Sequence, residues 1–241
     1  MGTVIAVLSG KGGTGKTTAA AALACALGEL GRKVVCLDAD AELRNLDLCL
    51  ALGDQALMDY GDVLAGRCSL DKALVSPSAF QNLKLLPAPP EPADEDLAAL
   101  VMPLRQQFDY CLIDCPGGLR AALSIAKLAD KALVVANVDP CSHRDGERIA
   151  QLLRTGHGPE CCLLMNRVSP RLLRVENLTL DDSMDRVGLR LIGYVPEDSR
   201  VSLALAAGMP LLEADRRTGR GAAAAFRRIA RRLDGQRVPI R

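Results

Sequence analysis

The sequence predicts an α/β fold of three layers, a mostly parallel sheet covered by helices on both faces. Three observations carry that expectation. Short β-branched runs alternate with alanine-rich stretches along the chain. The runs are apolar at nearly every position, as strands are when both faces are covered. At 241 residues and 49 % hydrophobic content the chain can bury a large core, so a single domain over residues 1–241 is expected.

The elements follow in order. "TVIAVL" is the first strand and Lys16 to Leu30 the first helix; "KVVCLD" is the next strand. A loop with two short helices is expected between Ala41 and Leu86, with "LKLLPA" as a further strand. Residues 87–96, "PAPPEPADED", read as a proline-rich acidic surface connection, because the same alternation continues on either side. "FDYCLIDC", "KALVVANV", "CCLLMNRV" and "LRLIGYVP" complete the strands. No internal repeat is visible.

Lys+Arg 30 against Asp+Glu 29 leaves a formal charge of +1, which excludes a whole-protein field that gathers nucleic acid or acidic membrane. The N-terminal apolar run is too short for a signal peptide, and no segment approaches the ~20 apolar residues that span a bilayer. A cytoplasmic location is therefore expected. Cys25, Cys36, Cys49, Cys111, Cys161 and Cys162 lie in apolar runs and read as reduced core thiols. No C-x-x-C pair suggests a metal; Cys111 and Cys115, four apart, share a strand face without making a site.

The chemistry is concentrated in "SGKGGTGKTT", Ser9 to Thr18, directly behind the first strand. Gly10, Gly15, Lys16 and Thr17 satisfy G-x-x-x-x-G-K-[ST], the phosphate-binding loop. The backbone N–H groups of Gly12, Gly13, Thr14, Gly15, Lys16, Thr17 and Thr18 converge where a helix dipole is positive, which suits a triphosphate. Lys16 then reaches the β- and γ-phosphates, and Thr17 holds Mg²⁺. Gly10, Gly12 and Gly15 also spell G-x-G-x-x-G with Asp38 at the second strand end, the fingerprint of a dinucleotide-dependent oxidoreductase. Against that alternative, lysine and threonine after the third glycine have no use there, and no hydride-transfer constellation follows.

Asp38 and Asp40, two apart past a strand end, place one carboxylate toward the metal shell and the other near the γ-phosphate and its attacking water. Asp114 in "CLIDCPGG" stands at the end of an apolar strand, where a carboxylate accepts from metal-bound water. Asn166 in "LLMNR" follows another strand, where an amide can read an adenine edge or simply occupy a turn.

These stretches, with "LDADAELRNLDL", "LIDCPGG", "ALVVANVDPCSHRDGERI", "LLMNRVSP", "LIGYVPED" and "FRRIARRLDGQRVP", resemble the deviant Walker-A ATPases of the ParA/MinD family from about Thr3 to Pro239. "LRNLDL" and "HRDGERI" are more similar to the MinD branch than to the ParA partitioning relatives. The resemblance implies a P-loop NTPase fold, bound ATP/ADP with Mg²⁺, slow ATP hydrolysis, and an ATP-dependent homodimer that positions a cell-division inhibitor or other cargo. It gives the second loop lysine, Lys11, a purpose: crossing the dimer interface to touch the partner's phosphates. By the same resemblance Lys16 and Lys11 stabilise charge, Thr17, Asp38 and Asp114 support the metal, and Asp40 positions water. Asn166 and the backbone of Pro196, Glu197 and Asp198 contact adenine. Asn45 is an interface or switch residue, while Asp139 and Asp145 take the family's second-site acidic positions or merely begin a polar helix.

Two departures stand out: Glu42 replaces a switch-loop glycine, and Arg120 stands where an acid is usual. They leave activation by an ATPase-activating partner less firmly implied than nucleotide binding. Phe226, Ile229, Ala230 and Leu233 make an apolar stripe opposite Arg227, Arg228, Arg231 and Arg232. Such a helix can lie on anionic lipid at the inner face of the cell membrane, yet the likeness makes it the last helix of the globular domain, with no separate membrane-targeting tail before Arg241. The ParA-like alternative replaces this membrane and septum role with non-specific DNA binding through arginines.

Overall fold

The computed structural model describes residues 1–53, 55–90, 97–175, 178–216 and 219–240. Its strands are β1 (Thr3–Leu8), β2 (Val34–Asp38), β3 (Leu83–Leu86), β4 (Tyr110–Asp114), β5 (Lys131–Asn137), β6 (Glu160–Val168) and β7 (Arg190–Pro196). They form one seven-stranded sheet in the order β3-β2-β4-β1-β5-β6-β7, every pairing parallel. Parallel neighbours need crossovers, and the helices supply them.

The larger helices are α1 (Lys16–Glu29), α5 (Ala98–Gln107), α6 (Leu119–Ala126), α7 (Pro140–Thr155), α9 (Leu180–Val187), α10 (Ser199–Ala206) and α12 (Gly221–Leu233). Short ones are α2 (Leu46–Cys49), α3 (Tyr60–Leu64), α4 (Leu70–Ala73), α8 (Pro170–Val175) and α11 (Leu211–Ala214). Among the described residues between Ala41 and Leu86 there are thus three short helices, not two. The third, α4, is a single turn of four residues, too short to show a hydrophobic period. Most of the expected acidic connection, residues 91–96, lies outside the described residues.

Alternation along β1 shows how the layers form. Ile5 and Val7 join the core under α1 and α12, whereas Val4, Ala6 and Leu8 join the core under α5, α6 and α7. Nearly all of α1 is buried, and its alanines meet Ala222 to Ala225 of α12, small side chains that let two helices approach closely on one sheet face.

The stripe on α12 faces this core. Phe226, Ile229 and Ala230 are at most 1 % exposed, so the apolar face is spent on the sheet and not on lipid. Arg227 pairs with Glu29, and Arg232 donates to the carbonyls of Ile192, Val238 and Pro239. All nine cysteines are free; Cys25, Cys36, Cys111 and Cys115 are buried, but Cys49, Cys161 and Cys162 only partly so, which corrects their assignment to the core. Among the described residues no helix is long and apolar enough to cross a membrane.

The register puts Asp38 opposite Asp114 and Asp114 opposite Val7. The carboxyl ends of β2, β4 and β1 therefore meet at one edge, where open parallel sheets bind ligands.

Candidate functional site

The loop between β1 and α1 is shaped by glycine. Gly13 and Gly15 have φ of 78° and 89°, left-handed conformations that cost an L side chain steric strain. Gly10 is excluded from carrying a side chain for another reason, since its Cβ would collide with that of Asp145 on α7. The Ser9 hydroxyl donates to the Lys11 carbonyl at 3.0 Å.

Lys16 starts α1 and is 8 % exposed. Its Nζ lies 2.7 Å from Asp114 Oδ1 and 3.7 Å from Asp40 Oδ2, and reaches Thr17 Oγ1 at 3.5 Å. Asp38 accepts the Asp40 backbone N–H at 3.0 Å. The structure thus brings Lys16, Thr17, Asp38, Asp40 and Asp114 to one buried spot. Burial, then the neighbouring Asp114, push the Asp38 carboxyl up to about 7. Burial also lifts Asp114 above the ordinary carboxylate range, with the Lys16 charge opposing it.

One ammonium among three carboxylates leaves the pocket short of positive charge. Asp114 Oδ2 is buried without a hydrogen-bond partner, and the available donors are hard oxygens, a fit for Mg²⁺. No group of three or more His, Cys, Asp or Glu among the described residues is arranged as a metal cage by itself.

Beside the loop lies a cavity of about 440 Å³ lined by Gly15, Thr18, Asn166, Arg167, Phe226 and the segment Pro196–Asp198. Asn166 donates through Nδ2 to the Thr14 carbonyl at 2.7 Å, so its amide braces the loop as well as lining the cavity. Asp198 lines it too, but its carboxylate has structural work. It caps α10 at Arg200 N–H, accepts the Ala222 N–H at the start of α12, and is held by the Arg200 guanidinium, which also bonds Asp215.

Lys11 is exposed, whereas Lys16 is buried. Asp139 caps α7 by accepting the Ser142 N–H at 2.9 Å, so a helix start accounts for it. Asp145 instead abuts the loop at Gly10. Asn45, Glu42 and Arg120 are exposed, and Asn45 makes no side-chain cap bond to α2. Sequence reasoning missed Arg167 and Phe226. Phe226 read as part of an apolar stripe facing either core or lipid, not a cavity, and Arg167 is marked by backbone geometry that no residue pattern reveals.

Residues 5–211 match the family model for the CobQ/CobB/MinD/ParA nucleotide binding domain. The chain is 39 % identical to the septum site-determining protein MinD of Synechocystis, over all of this chain and 92 % of that protein. Among solved structures it is similar to the Aquifex aeolicus MinC:MinD cell division complex, with a TM-score of 0.90, 34 % identity, and 99 % and 98 % of the two chains covered. It is also similar to MinD of Pyrococcus horikoshii complexed with Mg-ADP, with a TM-score of 0.86, 30 % identity, and 97 % and 96 % covered.

Proposed function

The chain belongs to the CobQ/CobB/MinD/ParA nucleotide-binding family, and from that premise we propose that it is an ATP-hydrolysing switch of the MinD type acting in septum-site selection. The observation that supports this most is the buried Lys16 at the start of α1, facing Asp114 and Asp40, while a second lysine of the same loop, Lys11, is left exposed. One cation serves the chain's own nucleotide, and the other is free to serve a second copy.

In this proposal Lys16 exchanges its carboxylates for the β- and γ-phosphates, and the N–H groups of the loop from Gly10 to Thr18 cradle them. Thr17, Asp38 and Asp114 hold the Mg²⁺, which supplies charge neutralisation at the phosphates when bound. Asp40 orients the attacking water and takes its proton. Asn166 and the Pro196–Asp198 backbone receive the adenine. Lys11 reaches across a homodimer; a cation added in trans in this way is worth about 10³–10⁵ in rate.

The known complex of a relative with MinC supports a division inhibitor as partner, and an ATPase-activating protein would reset the switch. Contact with the inner face of the cell membrane would use a surface other than the α12 stripe, which the sheet occupies. Light scattering at micromolar protein tests the proposal: dimers with ATP and Mg²⁺, monomers with ADP, and monomers with ATP for Lys11→Ala, which still binds nucleotide. Monomers of the unsubstituted chain in ATP and Mg²⁺ would refute it. Steeply salt-dependent DNA retention by the ATP form would favour the ParA-like role instead.

A further inference from the structure

Two exposed charges near the carboxylate cluster are each badly placed for their own chain. Arg120 is the second residue of α6, whose first turn holds no acid and whose N-cap, Gly118, makes no side-chain bond. A helix start is the positive end of its dipole, so a cation there is unfavourable unless an anion comes to meet it. Glu42 follows Asp38 and Asp40 in the loop that leaves β2, where Asp38, Asp40 and Asp114 already outnumber the ammonium of Lys16. Neither charge is relieved inside the chain. Among the described residues, the side chains of Glu42 and Arg120 make no ion pair and no hydrogen bond, with each other or with a third group.

Both lie at the same edge of the sheet. β2 and β4 are neighbours with Asp38 opposite Asp114, and the segments that carry Glu42 and Arg120 leave those two strand ends, next to the end of β1 from which the phosphate loop leaves. Leu43 and Leu48, in the same segment as Glu42, are large apolar side chains left 65 % and 52 % exposed. Exposed apolar side chains beside unpaired charges of both signs mark a surface that another protein covers. Resting on the ATP-driven dimer proposed above, we propose that a second copy of this chain covers this face, with Glu42 of each protomer paired to the partner's Arg120. A two-fold interface is self-complementary, so a face with one acid and one base makes two such pairs. The exchange brings an acid to the positive end of each α6 and a guanidinium to each acidic cluster. Lys11 then makes the dimer depend on nucleotide, while these pairs make it depend on the partner being the same chain, because a protomer with other charges at the two positions meets repulsion.

Sedimentation velocity with ATP and Mg²⁺ reads the pairing in whole chains carrying Glu42→Arg or Arg120→Glu. Each variant alone sets like charges against each other twice per dimer and is expected to dimerise about a hundredfold more weakly than the parent. An equimolar mixture of the two is expected to recover dimers and ATP hydrolysis, because every acid then faces a base across the two-fold axis. The chain carrying both substitutions is expected to recover as well. Titration with Mg-ADP checks the fold of each variant, and Glu42→Lys or Arg120→Asp replaces one that does not bind. Single variants that dimerise like the parent would overturn the pairing. So would a mixture that stays monomeric, and recovery by the doubly substituted chain alone would then place the pair inside one chain. Failure of the unsubstituted chain to dimerise with ATP would instead overturn the switch proposal on which the pairing rests.

Discussion

Lys16 Nζ donates to Asp114 Oδ1 at 2.7 Å, with only 9 % and 1 % of the two side chains exposed. The pair joins the first turn of α1 to the end of β4, residues 98 positions apart. Breaking a buried pair from one side costs more than the pair contributes, because the remaining charge is stranded.

Lys16→Ala should therefore destabilise the nucleotide-free chain by about 3 kcal/mol at pH 8, where the stranded carboxylates are ionised. At pH 5 the loss should shrink, because Asp114 and Asp38 can then take up protons at little cost. Urea unfolding at the two pH values measures the difference, and ATP hydrolysis should be abolished at both.

Asp38 makes a second pH dependence, with its own sign. Its folded carboxyl holds a proton up to about 7, against an ordinary 3.8, so the folded state binds protons more tightly than the unfolded one. Its contribution is most favourable below about pH 4 and is lost as pH rises to about 7, by about 4 kcal/mol at most. Asp38→Asn should flatten that slope and stabilise the nucleotide-free chain at pH 8, measured as the urea midpoint against pH.

Asp198 serves two helices at once. Asp198→Ala removes the cap of α10 and the acceptor for the Ala222 N–H of α12, and takes from Arg200 one of its two carboxylate partners. A loss of about 2–3 kcal/mol is expected by thermal unfolding. The exposed neighbour Glu197 caps nothing, and Glu197→Ala should fall within about 0.5 kcal/mol of the parent.

Phe226 distinguishes a core helix from a lipid helix. Phe226→Ala should cost about 3–5 kcal/mol, because the ring is 1 % exposed and packed in the core under α1 and α12. A helix that met lipid through this face would lose membrane binding with little change in the urea midpoint.

Ala51 follows the C-cap of α2 at a φ of 59°. Ala51→Gly should stabilise the chain by about 1 kcal/mol, read as a higher urea midpoint.

Much of the fold was legible because the strands are apolar on both faces and alternate with long helical stretches, α1 alanine-rich and apolar all round, α7 and α12 with a clear apolar stripe. The single-turn α4 was not, since four residues carry no period. At the site, the loop motif and the strand-end aspartates were legible as local patterns: Gly10, Lys16 and Thr17 by spacing, Asp38 and Asp114 by their place after apolar runs. Asp198 was legible as part of a segment expected near adenine, but not as the cap of a helix that begins 23 positions later, at Gly221.

Local patterning along the chain thus settled which elements exist and where the phosphate loop lies, because hydrophobic period and glycine spacing are properties of neighbouring residues. The folded arrangement alone decided that Lys16 pairs with Asp114, that the α12 stripe is spent on the sheet, and that Arg167 lines the cavity where β6 and β7 lose register. Each of those depends on register between segments far apart in the chain, and register follows from packing the whole sheet at once, not from any one stretch of it.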